Sequence, residues 1–242
     1  MKYAEKTYDD LKVVLSCKNL RKDFIVGGKM TPVIRGVSLS FKRGEFVSIM
    51  GPSGSGKSTL LYLLSGIENP TSGSIEMLGK DLKDYTPMEI NFLRSRDISF
   101  VFQNYNLIEN FSVYENIIAP LLLGDLPVIE KEIDEILKML NIEKIKYSPV
   151  VQLSGGEQQR VAIARALVNK PEIIFADEAT GNLDSKGRTV VMKMFEKINK
   201  YTDITIIQVT HDMSCAEFSD RLIVIEDGQI KSDEKLRKKR KT

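Results

Sequence analysis

The chain is poor in the residues that build metal cages and disulfide frameworks. Its 242 residues include two cysteines, Cys17 and Cys215, and a single histidine, His211. The cysteines fit no metal-ligand or redox spacing, so reduced thiols in a cytoplasmic setting are the expectation. Long apolar runs are missing too: none approaches the ~20 residues that a membrane-spanning helix needs. Met1 to Lys6 lacks the apolar stretch of a signal peptide. Charge of one sign is scarce overall, with a formal net charge of +2, so the fold as a whole is no basic platform and no nucleic-acid partner is expected. No internal repeat or long low-complexity linker interrupts the sequence. Its length suits one α/β domain with an inserted subdomain and a substantial core.

What is present is a set of short motifs at the ends of apolar runs. Gly51-Pro52-Ser53-Gly54-Ser55-Gly56-Lys57-Ser58-Thr59 satisfies G-x-x-x-x-G-K-[ST]. Glu45 to Met50 before it reads as a short buried strand, and Ser58 to Leu64 after it as a helix. In that context the glycines let successive backbone N–H groups turn inward on phosphates, and the helix start adds partial positive charge. Lys57 acts as a point charge on the phosphates, and the Ser58 hydroxyl suits Mg²⁺. A flexible Gly/Ser-rich turn would need neither Lys-Ser after the last glycine nor a strand and helix on either side.

A second apolar run, Glu172 to Ala176, ends in Asp177-Glu178. Ligands of open α/β sheets sit at such carboxyl edges. Asp177 is placed to hold the Mg²⁺ shell, through water, and Glu178 to face the attacking water as general base. A single capping acid would explain one carboxylate more easily than two. His211 follows the buried-strand pattern Ile204 to Val209, where it can donate to a γ-phosphate and help place the water. Gln103 follows the strand Ile98 to Phe102, and its neutral amide can touch the metal shell. Ser154-Gly155-Gly156-Glu157 looks like a helix start with a small cap and an early acid, followed by helix formers from Gln158 to Val168. An ordinary capped helix predicts the cap but not the double glycine.

Together these residues resemble the nucleotide-binding subunit of an ATP-binding cassette (ABC) system: Walker A at Gly51 to Thr59, Q-loop at Gln103, signature at Leu153 to Arg160, Walker B at Ile173 to Glu178, D-loop at Asn182-Leu183-Asp184 and switch histidine at His211. Ala176 to Ser185 and Phe100 to Leu107 are similar to the subfamily of macrolide exporters, lipoprotein-release ATPases and bacitracin-type peptide-resistance transporters. The resemblance implies a P-loop NTPase α/β fold with a mainly parallel sheet, an antiparallel β subdomain and an inserted helical subdomain. It implies ATP and Mg²⁺, with Ser53 to Thr59 on the phosphates and Phe24 on the adenine. It also implies that Ser154, Gly155, Gly156 and Gln158 meet ATP held by a second copy, in a head-to-tail homodimer that includes Asp184. A permease coupling helix would dock near Tyr105, Leu107 and Phe111, holding the chain at the cytoplasmic face of a membrane. Two positions depart from the family's habit: Ala179 stands where proline usually follows the catalytic glutamate, and Phe24 where the aromatic is often tyrosine.

The expected division is an ATPase core at about 1–86 and 169–231, a helical subdomain at about 87–168 and a basic tail at 232–242. Leu11 to Leu15 and Val33 to Phe41 are the antiparallel strands, and Val128 to Leu140 a helix of the inserted part. Lys235, Arg237, Lys238, Lys239, Arg240 and Lys241 would gain weakly from an anionic leaflet, although such tails are commonly solvated. Three functional readings follow. The first is a transporter ATPase moving a peptide, drug or lipid-linked substrate. The second is a regulatory ATPase of the cell-division type that transports nothing. The third is a soluble ABC ATPase working on nucleic acid or ribosomes, disfavoured because tandem cassettes and coiled-coil insertions are absent.

Overall fold

The computed structural model describes residues 12–236. Two long strands come first, β1 (Val13–Val26) and β2 (Lys29–Lys42), joined by Gly27-Gly28 and paired antiparallel. Leu11, expected at the start of β1, and the basic residues from Arg237 onward lie outside the described residues. There follow β3 (Phe46–Met50), α1 (Lys57–Leu64), β4 (Ser72–Met77), β5 (Lys80–Asp81) and α2 (Pro87–Phe92), which runs into a π-helical turn at Leu93–Asp97. Next are β6 (Ile98–Phe102), α3 (Val113–Leu123), α4 (Glu130–Met139), α5 (Gly155–Leu167), β7 (Ile173–Asp177) and α6 (Ser185–Thr202). The chain closes with β8 (Thr205–Val209), α7 (Met213–Ala216), β9 (Arg221–Glu226) and β10 (Gln229–Lys235).

Two sheets result. One is four-stranded and antiparallel, in the order β2-β1-β4-β5; the other is six-stranded, in the order β10-β9-β3-β8-β7-β6. In the larger sheet every pairing is parallel except β9 with β10. Parallel strands need crossovers that cover both faces, which is why β7 and β8 read as continuous apolar runs. α1 is apolar on nearly all sides, and Leu60, Leu61, Leu63 and Leu64 are fully buried. Such a helix belongs inside. It is packed in one core with Leu15 and Ile34 of the small sheet and Val47, Phe175 and Ile207 of the large one. A second core joins the other face of the large sheet to α3, α4, α5 and α6.

Two stretches differ from expectation. Residues 98–102, inside the span assigned to the helical insert, form β6 of the large sheet beside β7; the helical excursion α3 to α5 is the crossover between these two parallel strands. Residues 232–235, assigned to the tail, belong to β10, and Lys235 pairs with Arg221. The turn at Asp227-Gly228, where both residues have positive φ, closes a hairpin that takes these charged residues into the sheet edge. Charges are common there because they discourage further strand pairing.

Register fixes what happens at the carboxyl edge. Ile49 pairs with Val209, Val209 with Asp177, and Asp177 with Phe102. This single row across four strands carries the P-loop, His211, Glu178 and Gln103 one or two residues further along each strand.

Candidate active site

The loop after β3 is shaped by close approaches. A Cβ on Gly51 would lie 2.0 Å from the Ile225 carbonyl oxygen, so no larger residue fits there. Gly56 has φ +96°, and a Cβ on it would press 2.9 Å from Ile34 Cδ1. It is also the N-cap of α1 and supplies no side-chain cap. The first-turn N–H groups of Lys57, Ser58 and Thr59 therefore have no capping side chain, the arrangement that accepts an anion. Lys57 Nζ donates to the Pro52 carbonyl at 2.7 Å, folding the cation over the loop. Ser53 and Gly54 are exposed at the crest, whereas Ser55 is buried with its Oγ unpartnered.

Asp177, the last residue of β7, receives two hydroxyls from α1. Ser58 Oγ donates to Oδ1 at 3.0 Å and the Tyr62 hydroxyl to Oδ2 at 2.7 Å. Burial, and then the carboxylate itself, push the Tyr62 phenol up to about 12, so it is a neutral donor at pH 7. A hydroxyl beside a carboxylate suits a hard divalent cation that keeps several waters. No cluster of three or more His, Cys, Asp or Glu that could hold a metal occurs among the described residues.

One residue on, Glu178 has φ +47° and its N–H donates to the Val209 carbonyl at 3.0 Å. The turned backbone directs the carboxylate toward the end of β8, where His211 Nδ1 is 3.2 Å from Glu178 Oε1. Glu178, Thr180, Gly181, Arg188, Thr210, His211 and Asp212 line a small cleft. In it Arg188 Nη1 donates to Asp212 Oδ2 at 2.5 Å. The hydroxyl of Ser214, and after it Arg188, hold the Asp212 carboxyl below its ordinary range. Gln103 Nε2 donates to Asn182 Oδ1 at 3.3 Å, and Asn182 Nδ2 returns a bond to the Gln103 carbonyl at 2.9 Å. A Cβ on Gly181 would lie 2.7 Å from Gln103 Nε2, so a larger residue there would displace the Gln103 amide.

Phe24 lies on β1, partly buried, with Lys22 Nζ 4.9 Å from its ring centroid. Lys22 pairs with Ile34, whose side chain backs Gly56, and Phe24 pairs with Thr31, three residues before Ile34 on β2.

Ser154 is the N-cap of α5 in a full capping box. Its N–H and hydroxyl both donate to Glu157 Oε2, at 2.9 and 2.6 Å, and its oxygen accepts from the Glu157 N–H. These bonds, side chain first, lower the Glu157 carboxyl. Gln158 Nε2 donates to the Leu153 carbonyl at 3.1 Å. The N–H groups of Gly155 and Gly156 open the first turn and have no intrahelical acceptor. The Tyr105 hydroxyl covers Gly155 closely, 2.8 Å from where a Cβ would sit. From the last turn of α5, Arg165 donates to the carbonyls of Asn106 at 2.6 Å and Tyr105 at 2.8 Å. Asp184 caps α6, accepting from the Gly187 N–H at 2.7 Å.

The fold thus gathers Lys57, Ser58, Asp177, Glu178, His211 and Gln103 at one sheet edge. It does not add the α5 start to them: among the described residues, no hydrogen bond joins Ser154, Gly155, Gly156 or Gln158 to residues 51–59. Tyr62, Arg188 and Arg165 are absent from the sequence reading. Tyr62 carried one usable signal, its i+4 spacing from Ser58 on a helix.

The ABC transporter family profile matches residues 34–181. The chain is 41% identical over 228 residues to the lipoprotein-releasing system ATP-binding protein LolD 1 of Chlorobium chlorochromatii, covering 93% of each. It is 39% identical over 223 residues to the macrolide export ATP-binding/permease protein MacB of Bdellovibrio bacteriovorus, covering 92% of this chain and 34% of that one. It spans 48% of ABC transporter H family member 2 of Dictyostelium discoideum at 40% identity, so several of its relatives are two to three times as long. Among solved structures, the dimeric post-hydrolysis state of the cassette MJ0796 bound to ADP and Pi superposes with a TM-score of 0.84 at 40% identity. That match covers 92% of this chain and 99% of the other.

Proposed function

The chain belongs to the ABC transporter family, and from that premise we propose that it is the ATP-hydrolysing subunit of a membrane transporter, active as a head-to-tail homodimer. One observation carries the reading. The hydrolytic groups meet at the carboxyl edge of β3, β7 and β8, whereas, among the described residues, the anion-ready start of α5 has no hydrogen bond to the P-loop of its own chain. A second copy supplies the missing half. Two dimeric structures of the cassette MJ0796, one of them bound to ADP and Pi, support the same assembly.

In this reading Ser53 to Thr59 hold the phosphates through backbone N–H groups, with Lys57 leaving Pro52 to neutralise them. Phe24 stacks on the base. Ser58, Gln103 once freed from Asn182, and Asp177 through water would hold Mg²⁺, which would supply charge neutralisation on the phosphate oxygens. Glu178 accepts the proton of the attacking water as its oxygen bonds the γ-phosphorus and the bond to the bridging oxygen breaks. His211, beside Glu178, orients the water and donates to the γ-phosphate. Ser154, Gly155, Gly156 and Gln158 meet the nucleotide of the other copy, with Asp184 at that interface.

Coupling to a permease falls to the segment after β6, where Ile108 and Phe111 are exposed apolar residues beside Tyr105 and Leu107. A relative named as a joint ATP-binding/permease protein favours a permease as the membrane component this cassette works with. No described helix is long and apolar enough to cross a membrane. The chain would then sit against the bilayer through that partner, and the relatives named for macrolide export and lipoprotein release favour an exported or extracted substrate. A core at 1–86 and 169–231 around a helical insert at 87–168 is the division this mechanism uses, with β6 returned to the core. The deciding experiment is Glu178→Gln: the variant should bind ATP, accumulate an ATP-dependent dimer by light scattering and lose turnover. Wild-type hydrolysis by that variant would remove Glu178 as the base.

A further inference from the structure

We infer that Tyr62 is a positioning residue for the divalent cation, acting through Asp177: its hydroxyl fixes the carboxylate so that one oxygen stays aligned with Ser58. The inference rests on the ATPase reading above and adds to it a residue outside the P-loop and the Asp177-Glu178 pair. Ser58 and Tyr62 are four residues apart on α1, hence on one face of the helix. Both reach the same carboxylate, one at each oxygen, at 3.0 and 2.7 Å. Among the described residues these are the two side chains with a hydrogen bond to Asp177.

The two bonds have different fates when an ion arrives. Ser58 has one hydroxyl proton and two lone pairs, so its oxygen can face a cation while the proton stays on Asp177 Oδ1. Tyr62, bonded to Oδ2, has no such second duty. Two fixed oxygens stop rotation of the carboxylate about its terminal torsion, which is otherwise broad. With Tyr62 in place, Oδ1 and Ser58 Oγ stay paired before the ion enters. Without it, the carboxylate must be ordered as the ion binds. Groups that orient a metal-holding carboxylate in this way typically tune metal affinity by 10–100-fold. The phenol is partly buried, and Tyr62→Phe keeps the ring and removes only the hydroxyl.

The test uses the full chain in the Glu178→Gln background, where turnover does not obscure binding. A fluorescent ATP analogue is titrated in EDTA and then across a range of MgCl₂, and bound Mn²⁺ is followed by electron paramagnetic resonance. Tyr62→Phe should leave the metal-free nucleotide Kd unchanged and raise the half-saturating Mg²⁺ concentration roughly 10-fold, with an altered Mn²⁺ line shape. An unchanged melting temperature, with the metal-free Kd, shows that Tyr62→Phe is folded. Equal Mg²⁺ dependence in parent and Tyr62→Phe overturns the inference. So does an equal loss of nucleotide affinity with and without metal, the mark of a purely structural role. A parent chain that binds no ATP would overturn the functional reading itself, an outcome visible before Tyr62 is changed.

Discussion

His211 Nδ1 lies 3.2 Å from Glu178 Oε1, and the contact depends on a glutamate backbone held at φ +47°. A non-glycine residue in that region costs of order 1–3 kcal/mol, and here the Glu178 N–H is anchored on the Val209 carbonyl. The turn at the end of β7 is thereby tied to the strand that delivers His211. His211→Ala should lower kcat by roughly 10²-fold or more while leaving the ATP Kd within about twofold. Steady-state hydrolysis and calorimetric titration check the two halves, and an unchanged kcat would separate the histidine from the chemistry.

Ser154 faces two demands, capping α5 and meeting a nucleotide on another copy. Ser154→Ala should cost about 1 kcal/mol through the lost cap, read as a modest fall in melting temperature. In the Glu178→Gln background it should also prevent the ATP-dependent dimer in sedimentation velocity, with monomer ATP affinity retained. A dimer of parental strength would mean that α5 is only a capped helix.

The pair Arg188–Asp212 locks α6 to the residue after His211. Arg188→Met keeps the aliphatic stem but frees the loop, so kcat should fall about 10-fold with nucleotide affinity retained. Its pH signature has a defined sign. Asp212 has a folded pKa below its unfolded value, so its contribution to stability is present above about pH 4 and is lost as pH falls through the folded value. Urea midpoints of parent and Arg188→Met should differ at pH 7 and converge in acid, as pH falls through the lowered Asp212 value. A gap that persists into acid would assign the effect to packing.

Arg165 binds the carbonyls of Tyr105 and Asn106, both at positive φ. Burial lowers its pKa, against the charged form, and the two carbonyls compensate. Arg165→Met leaves those acceptors without their donors, at about 1–3 kcal/mol. Hydrogen exchange should accelerate across residues 103–109 and not in α1. Uniform acceleration throughout the chain would mean global destabilisation and no local clamp.

Much of the candidate site's local structure was legible because its signals are local. Gly56-Lys57-Ser58 announces a loop entering a helix, and the apolar run into Asp177-Glu178 announces a buried strand with acids at its end. Ser154-x-x-Glu157 is a capping box in sequence as in space. Each depends on residues within one turn or one strand, where composition and spacing constrain the backbone directly. β10 was missed because charge at the chain's end outweighs the weak alternation Ile230 to Lys235, and pairing with β9 is what makes it a strand.

The sequence by itself determined that this chain has a P-loop, two carboxylates at a strand end and a glycine-rich helix start, hence a nucleotide machine of the ABC kind. Tertiary structure alone decided which residues support them. Tyr62 and Asp177 are separated by 115 positions in the chain, and Gln103 and Asn182 by 79. Such pairs exist because parallel strands stand in a particular register and α1 is rotated to a particular angle between two sheets. Those quantities are set by the packing of the whole core, so no local run of residues carries them.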